Sequence, residues 1–222
     1  MNRSNLSTCV SPLLLSLVIA GRISFVLGSQ LISGSIATPI ARPKLEEIPS
    51  REIRIILTSA MEQTRITKGY DPRYVDLKYP NGDVPMETGV CTDVLIRAFR
   101  NTGIDLQKEI HEDMAAHFSS YPQNWGLRAP DSNIDHRRVP NLQTWFARQG
   151  KSLPVTGNSD DYKPGDIVAW DLNGKGVLHI GFVSNLWSEA SRRYWIIHNI
   201  GGGTQAEDRL FDWKVIGHYR YF

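Results

Sequence analysis

Lys163-Pro164-Gly165-Asp166-Ile167-Val168-Ala169-Trp170 leads, after a short polar break, into Val177-Leu178-His179-Ile180-Gly181-Phe182-Val183-Ser184. Each half is a short apolar, β-branched run, and Asn173-Gly174 lies between them as a turn signal. Both halves are therefore predicted strands. Tyr194 to Ile200 and Val215 to Phe222 have the same character. Upstream the periodicity is helical. Ile53, Ile56, Leu57, Ala60 and Met61 follow Ser50, a residue suited to an N-cap. Val90, Val94, Leu95, Ala98 and Phe99 make a second stripe, which Gly103 closes. Ile110, Met114 and Phe118 mark a third helix over 106–118, and a short one is expected over Asn141 to Gln149, ended by Gly150. Tyr70 to Gly89 carries Asp71-Pro72, Tyr79-Pro80, Asn81-Gly82 and Pro85, and reads as turn and loop. Helices first and consecutive strands afterwards give an α+β class with an antiparallel sheet.

The chain has 222 residues, 41% of them hydrophobic and 22% charged, with six Trp. That is enough for one domain with a real core, and it is not a disordered composition. The formal charge is +2, and setting aside Arg3 and Arg22 leaves 23 basic residues against 23 acidic. A binder of phosphate backbones normally carries a clear basic excess, so nucleic acid is not an expected partner.

The N-terminus reads as a targeting segment. Arg3 precedes the apolar run Leu13-Leu14-Leu15-Ser16-Leu17-Val18-Ile19-Ala20, and Gly28 and Ser29 are small. Residues 1–28 are expected to be a secretory signal peptide, with an uncleaved anchor as the alternative, and 29–49 a linker. Membrane contact would then come only through a retained N-terminal segment. The product would be exported, to the periplasm or cell envelope. Residues 50–222 form the expected single domain.

The chain has two cysteines, and Cys9 falls inside the targeting segment, so Cys91 would remain alone in the mature protein. A lone thiol in an oxidising compartment is either buried and inert or kept for its reactivity. Cys91 opens the second helix, where unpaired N–H groups favour negative charge and can lower a thiol pKa. The plainer reading makes it a small core residue beside Val94, Leu95 and Ala98. A nucleophilic cysteine needs a base, and the base an orienter. In a strand, His179 shares a face with Gly181 and Val183. Gly181 leaves room there for a thiol or substrate. His198-Asn199 closes another apolar run, and its two side chains point to opposite faces, so one of them is available to hold the His179 ring.

These stretches resemble the NlpC-type cell-wall cysteine peptidases, a papain-like branch. The resemblance rests on Tyr79-Pro80-Asn81-Gly82 with Pro85, Gly89 and Cys91, on Lys163-Pro164-Gly165-Asp166-Ile167-Val168, on His179-Ile180-Gly181-Phe182-Val183 and on Ile197-His198. More closely, Gly89-Val90-Cys91-Thr92-Asp93, Asn133-Ile134-Asp135-His136-Arg137-Arg138-Val139-Pro140-Asn141-Leu142 and His198-Asn199-Ile200-Gly201 resemble the domain-of-unknown-function family DUF1287, over about residues 55–222. The resemblance implies a papain-like fold with N-terminal helices packed on the C-terminal sheet. It also implies Cys91 as nucleophile, His179 as base, and His198 as orienter with Asn199 as the other option. Tyr79 becomes a substrate or oxyanion contact. No cofactor or metal is implied. Val90, Thr92 and Asp93 stand where typical members carry Asp, Ser and Gly around the cysteine. The 88 positions from Cys91 to His179 exceed the usual gap, so 104–160 is read as a substrate-shaping insertion. Its Asp135, His136, Arg137 and Arg138, and outside it Asn199, are candidate substrate contacts, the arginines for carboxylates.

The expected function is therefore an exported cysteine hydrolase acting on amide bonds of peptidoglycan stem peptides. Three alternatives stand beside it. One is a non-catalytic wall-binding module. Another is a metallohydrolase built on His136, His179 and His198, although no His-Glu-x-x-His spacing supports it. The last is acyl transfer on the same fold.

Overall fold

The computed structural model describes residues 50–222, together with the backbone of Arg42–Pro43. The expected signal segment and the rest of the 29–49 linker lie outside the described residues. Helix α1 spans Arg51–Ile66 and starts where expected: Ser50 caps it, its side chain accepting from the Ile53 N–H. Two short strands, β2 (Gly69–Tyr70) and β3 (Thr88–Gly89), pair in parallel and bracket the turn-rich segment. Helix α2 (Cys91–Arg100) follows at once and is buried along nearly its whole length. Helix α3 (Leu106–His117) buries Leu106, Ile110 and Met114, and α4 (Val139–Arg148) buries Leu142, Trp145 and Phe146. The 104–160 segment is thus part of the main core as well as an addition to it.

Five strands then form the sheet: β4 (Ile167–Asp171), β5 (Leu178–Ser188), β6 (Arg193–Asn199), β7 (Thr204–Glu207) and β8 (Lys214–Tyr219). They are antiparallel in the order β7-β6-β5-β4-β8, and β1 (Arg42–Pro43) pairs with the far end of β5 opposite Trp187 and Leu186. The architecture is α+β, with helices on an antiparallel sheet. Sequence periodicity did not give β7.

Strand alternation splits the sheet into two buried faces. Ile167, Ala169, Ile180, Phe182 and Ile197 pack against the helices. Val168, Trp170, Val183, Tyr194 and Ile196 pack on the opposite side with Tyr162 and Leu210. Among the described residues no helix is long and apolar enough to cross a membrane.

Candidate active site

Cys91 occupies the first turn of α2. Val90 has no side-chain oxygen to cap that helix, so its start is fixed from inside: the Asp93 carboxylate accepts the Val90 N–H at 2.7 Å. Asp93 also receives Nε and Nη2 of Arg137, both at 3.0 Å, and both side chains of this ion pair are buried. Arg137 further donates to the carbonyls of Arg73 and Asp71. Asn199 ties the same region to the sheet, its Nδ2 donating to the Gly69 and Gly89 carbonyls at 3.1 Å each. Asn199, expected as a substrate contact, is instead an anchor for the strands that precede Cys91 and is not among the walls of the cavity there.

Cys91 is 4% exposed. Burial pushes its pKa from an ordinary 9.0 up to about 12. The N–H of Ile180 and the charge of Asp93 follow in weight with opposite signs, and the amides of Thr92 and Cys91 join Ile180 in favouring the anion. The expectation that the helix N-terminus would by itself leave a lowered thiol pKa is corrected: its amides are in place, but desolvation outweighs them. Cys91 rests as a neutral thiol. The Tyr70 hydroxyl lies within hydrogen-bonding reach of the sulfur, and burial with that neighbour pushes the phenol up to about 12.

The two histidines meet on the other face. His179 Nε2 and His198 Nδ1 are 2.7 Å apart, and His198 Nε2 is 3.0 Å from Glu207 Oε2. The Trp213 ring lies against both imidazoles, at 6.0 and 5.8 Å. The proton positions follow from Glu207. A carboxylate only accepts, so His198 carries its proton on Nε2. In the neutral ring Nδ1 is then an acceptor, and His179 must donate from Nε2. That leaves Nδ1 of His179 with a free lone pair. Burial holds both imidazoles below their ordinary 6.5, His179 down to about 3, which fits the neutral forms this chain of bonds requires. For His198 the Glu207 carboxylate opposes part of that effect.

Gly181 has a different use from the one expected. A Cβ there would stand 2.7 Å from the Ile197 carbonyl and 3.0 Å from His198 Cβ, so the bare position admits β6 and His198. Cys91 and His179 belong to opposite sides of β5. Among the described residues no hydrogen bond joins thiol and imidazole directly. What links them is Ile180, whose N–H reaches the sulfur and which follows His179 in the chain.

The cavity at Cys91 holds about 440 Å³. Tyr70, Trp125, Arg137, Arg138 and Leu178 are among its walls. Of the other expected contacts, Tyr79 is not there: its hydroxyl is 3.5 Å from Glu112 Oε1 and its ring stands edge-on to His111. Tyr70 is the tyrosine at the thiol. Asp135 is buried, accepting the Asp131 N–H at 2.6 Å, with His111 Nδ1 at 3.5 Å. His136 is buried among Arg100, Arg137 and His111, and its pKa falls to about 3. It does not join His179 and His198. Among the described residues no group of three His, Cys, Asp or Glu side chains is placed to hold a metal ion. Glu207 and Tyr70 are the site residues that sequence reasoning missed. Their only prior signal was an acid and a phenol close in sequence to motif residues, with nothing to fix their register.

A family model described as "Domain of unknown function (DUF1287)" matches residues 57–221. The chain is 52% identical over 190 residues to "Uncharacterized protein YijF" of Escherichia coli (strain K12), covering 86% of this chain and 92% of that protein. Among solved structures it is similar to the structure of NlpC1 from Trichomonas vaginalis, with 12% identity and a TM-score of 0.38 over 77% of this chain. It spans 43% of the length of that solved chain.

Proposed function

The chain belongs to the DUF1287 family, and from that premise and the site geometry we propose that it is an exported cysteine hydrolase that cleaves amide bonds in peptidoglycan peptides. One observation carries the reading. The thiol sits at the Ile180 amide, and the residue before Ile180 is His179, whose Nε2 is held by His198, itself held by Glu207, and whose Nδ1 keeps a free lone pair. The motif resemblance set out above supports the substrate class.

In this reading His179 Nδ1 takes the thiol proton as the sulfur attacks the carbonyl carbon, forming a C–S bond. For this the sulfur and His179 Nδ1 must come within hydrogen-bonding reach in the substrate complex, a contact that the free protein does not make and that catalytic groups often tighten only on binding. The oxyanion receives hydrogen bonds from the Cys91 amide and the Tyr70 hydroxyl. The imidazolium then passes its proton to the leaving amine as the C–N bond breaks. Water, giving a proton to His179, attacks the thioester and frees the carboxylic acid, and the proton returns to sulfur. His198 and Glu207 keep the His179 ring in one tautomer throughout.

The test is to incubate the protein and its Cys91→Ala variant with purified peptidoglycan and identify the released fragments by mass spectrometry. New amino termini that depend on Cys91 support the reading, and identical digests end it. A wall-binding module would retain the polymer without releasing fragments, and a pulldown on the same material detects that.

A further inference from the structure

The two arginines just before α4 have different circumstances. Arg137 is fully employed by Asp93 and two backbone carbonyls. Arg138, its neighbour, has no hydrogen bond or ion pair through its guanidinium among the described residues. Its Nη1 is buried without any partner, and the group lies 4.2 Å from the centre of the Trp125 ring. Both arginines line the cavity at Cys91, and no carboxylate side chain does. Burial pulls the Arg138 pKa below its ordinary value, and the charges of Asp135 and Asp131, which make no ion pair with it, oppose only part of that.

A buried donor without a partner costs free energy, and a planar cation stacked on indole presents its edge for a fork-like pair of hydrogen bonds. Phosphate would pair with the same fork. The apolar part of the wall (Pro72, Val139, Pro140 and Leu178) suits a peptide side of the ligand better than a bare inorganic ion. We infer that Arg138, under Trp125, is the specificity determinant of the Cys91 site and takes a free carboxylate of a peptide substrate. This rests on the hydrolase reading for the bond that is cut, but the anion site is open to an independent test.

The test uses Cys91→Ala protein, which cannot turn over, and two probes: N-acetyl-alanyl-alanine and its C-terminal amide. Isothermal titration calorimetry is expected to show the free acid binding about tenfold tighter than the amide, as suits a charge-assisted pair. Adding Arg138→Gln should bring the two affinities together, while Arg138→Lys should keep part of the preference. A circular-dichroism melt of each variant separates loss of the site from loss of the fold. Inorganic phosphate is the third probe. Equal affinity for acid and amide, no binding of either, or phosphate binding as tightly as the free acid overturns the proposal. A preference that depends on Arg138 upholds the anion site even where no Cys91-dependent fragments appear. Fragments released without regard to a nearby carboxylate uphold the hydrolase and sink the anion site.

Discussion

His198 Nδ1 lies 2.7 Å from His179 Nε2, so the second imidazole, and not the amide of Asn199, holds the first. On the proposed mechanism His198→Ala lowers kcat/KM by about 10²-fold to 10⁴-fold, the range for losing an oriented general base. Glu207→Gln keeps an acceptor but removes the charge that stabilises the proton on His198. It should cost about tenfold and lower the acid limb of the pH–rate profile by about one unit. Steady-state kinetics across pH on released amine checks both. An Asn199→Ala variant as impaired in kcat as His198→Ala, with an unshifted melting curve, would reverse the assignment.

Gly181→Ala should damage stability and site together. The new Cβ meets backbone at 2.7 Å and His198 Cβ at 3.0 Å, so β6 must move. A loss of about 1–3 kcal/mol is expected for such overpacking. Urea denaturation measures it, and a matching fall in activity in the folded fraction locates the damage at His198.

Breaking the buried Asp93–Arg137 pair leaves one charge without its partner. Arg137→Leu is expected to cost about 3–5 kcal/mol and to lower Tm by on the order of 10 °C. It also releases the carbonyls of Asp71 and Arg73 beside Tyr70. Calorimetric melting decides it, and a shift of a degree or less would show that the pair contributes little.

Acid should loosen the fold. His179 and His136 are each held down to about 3 from an ordinary 6.5. Between those values the unfolded chain binds protons that the native sites refuse. Their contribution is complete above pH 6.5 and lost as pH falls toward 3. Urea midpoints at about pH 7.5, 5.5 and 4.5 should fall in that order, with a shallower slope in a His136→Asn variant.

The thiol titrates in the opposite sense. With a pKa of about 12 against 9.0, Cys91 has roughly 10³-fold less thiolate than a free cysteine at neutral pH. A disulfide reagent should label the native protein far more slowly than the urea-unfolded chain. Equal rates would mean that the sulfur is open.

Much of the fold was legible because its elements have clean periods. The stripe from Ile53 to Ala60 buries one regular set of apolar residues, the helix opened by Cys91 is buried along nearly its whole length, and the strands from Ile167 and Leu178 are short apolar runs buried on both faces. Thr204–Glu207 has no such set: its burial runs from Thr204 outward to half-exposed Glu207, so nothing marks it as a strand or its acid as a partner of His198. Alternation did separate His198 from Asn199 correctly, but it could not tell which of them faced His179. The pairing of Phe182 with Ile197 decides that, and register across a turn is a tertiary property. Tyr79 and Tyr70 show the same limit. Tyr70 opens the turn-rich segment and Tyr79 lies within it, and only the parallel pairing of Tyr70 with Gly89 selects the one beside the sulfur.

A covered, protonated sulfur is a slow target for peroxide and for stray disulfides, because oxidation follows thiolate character and access. An idle molecule can therefore persist among oxidants without a reductase to restore it.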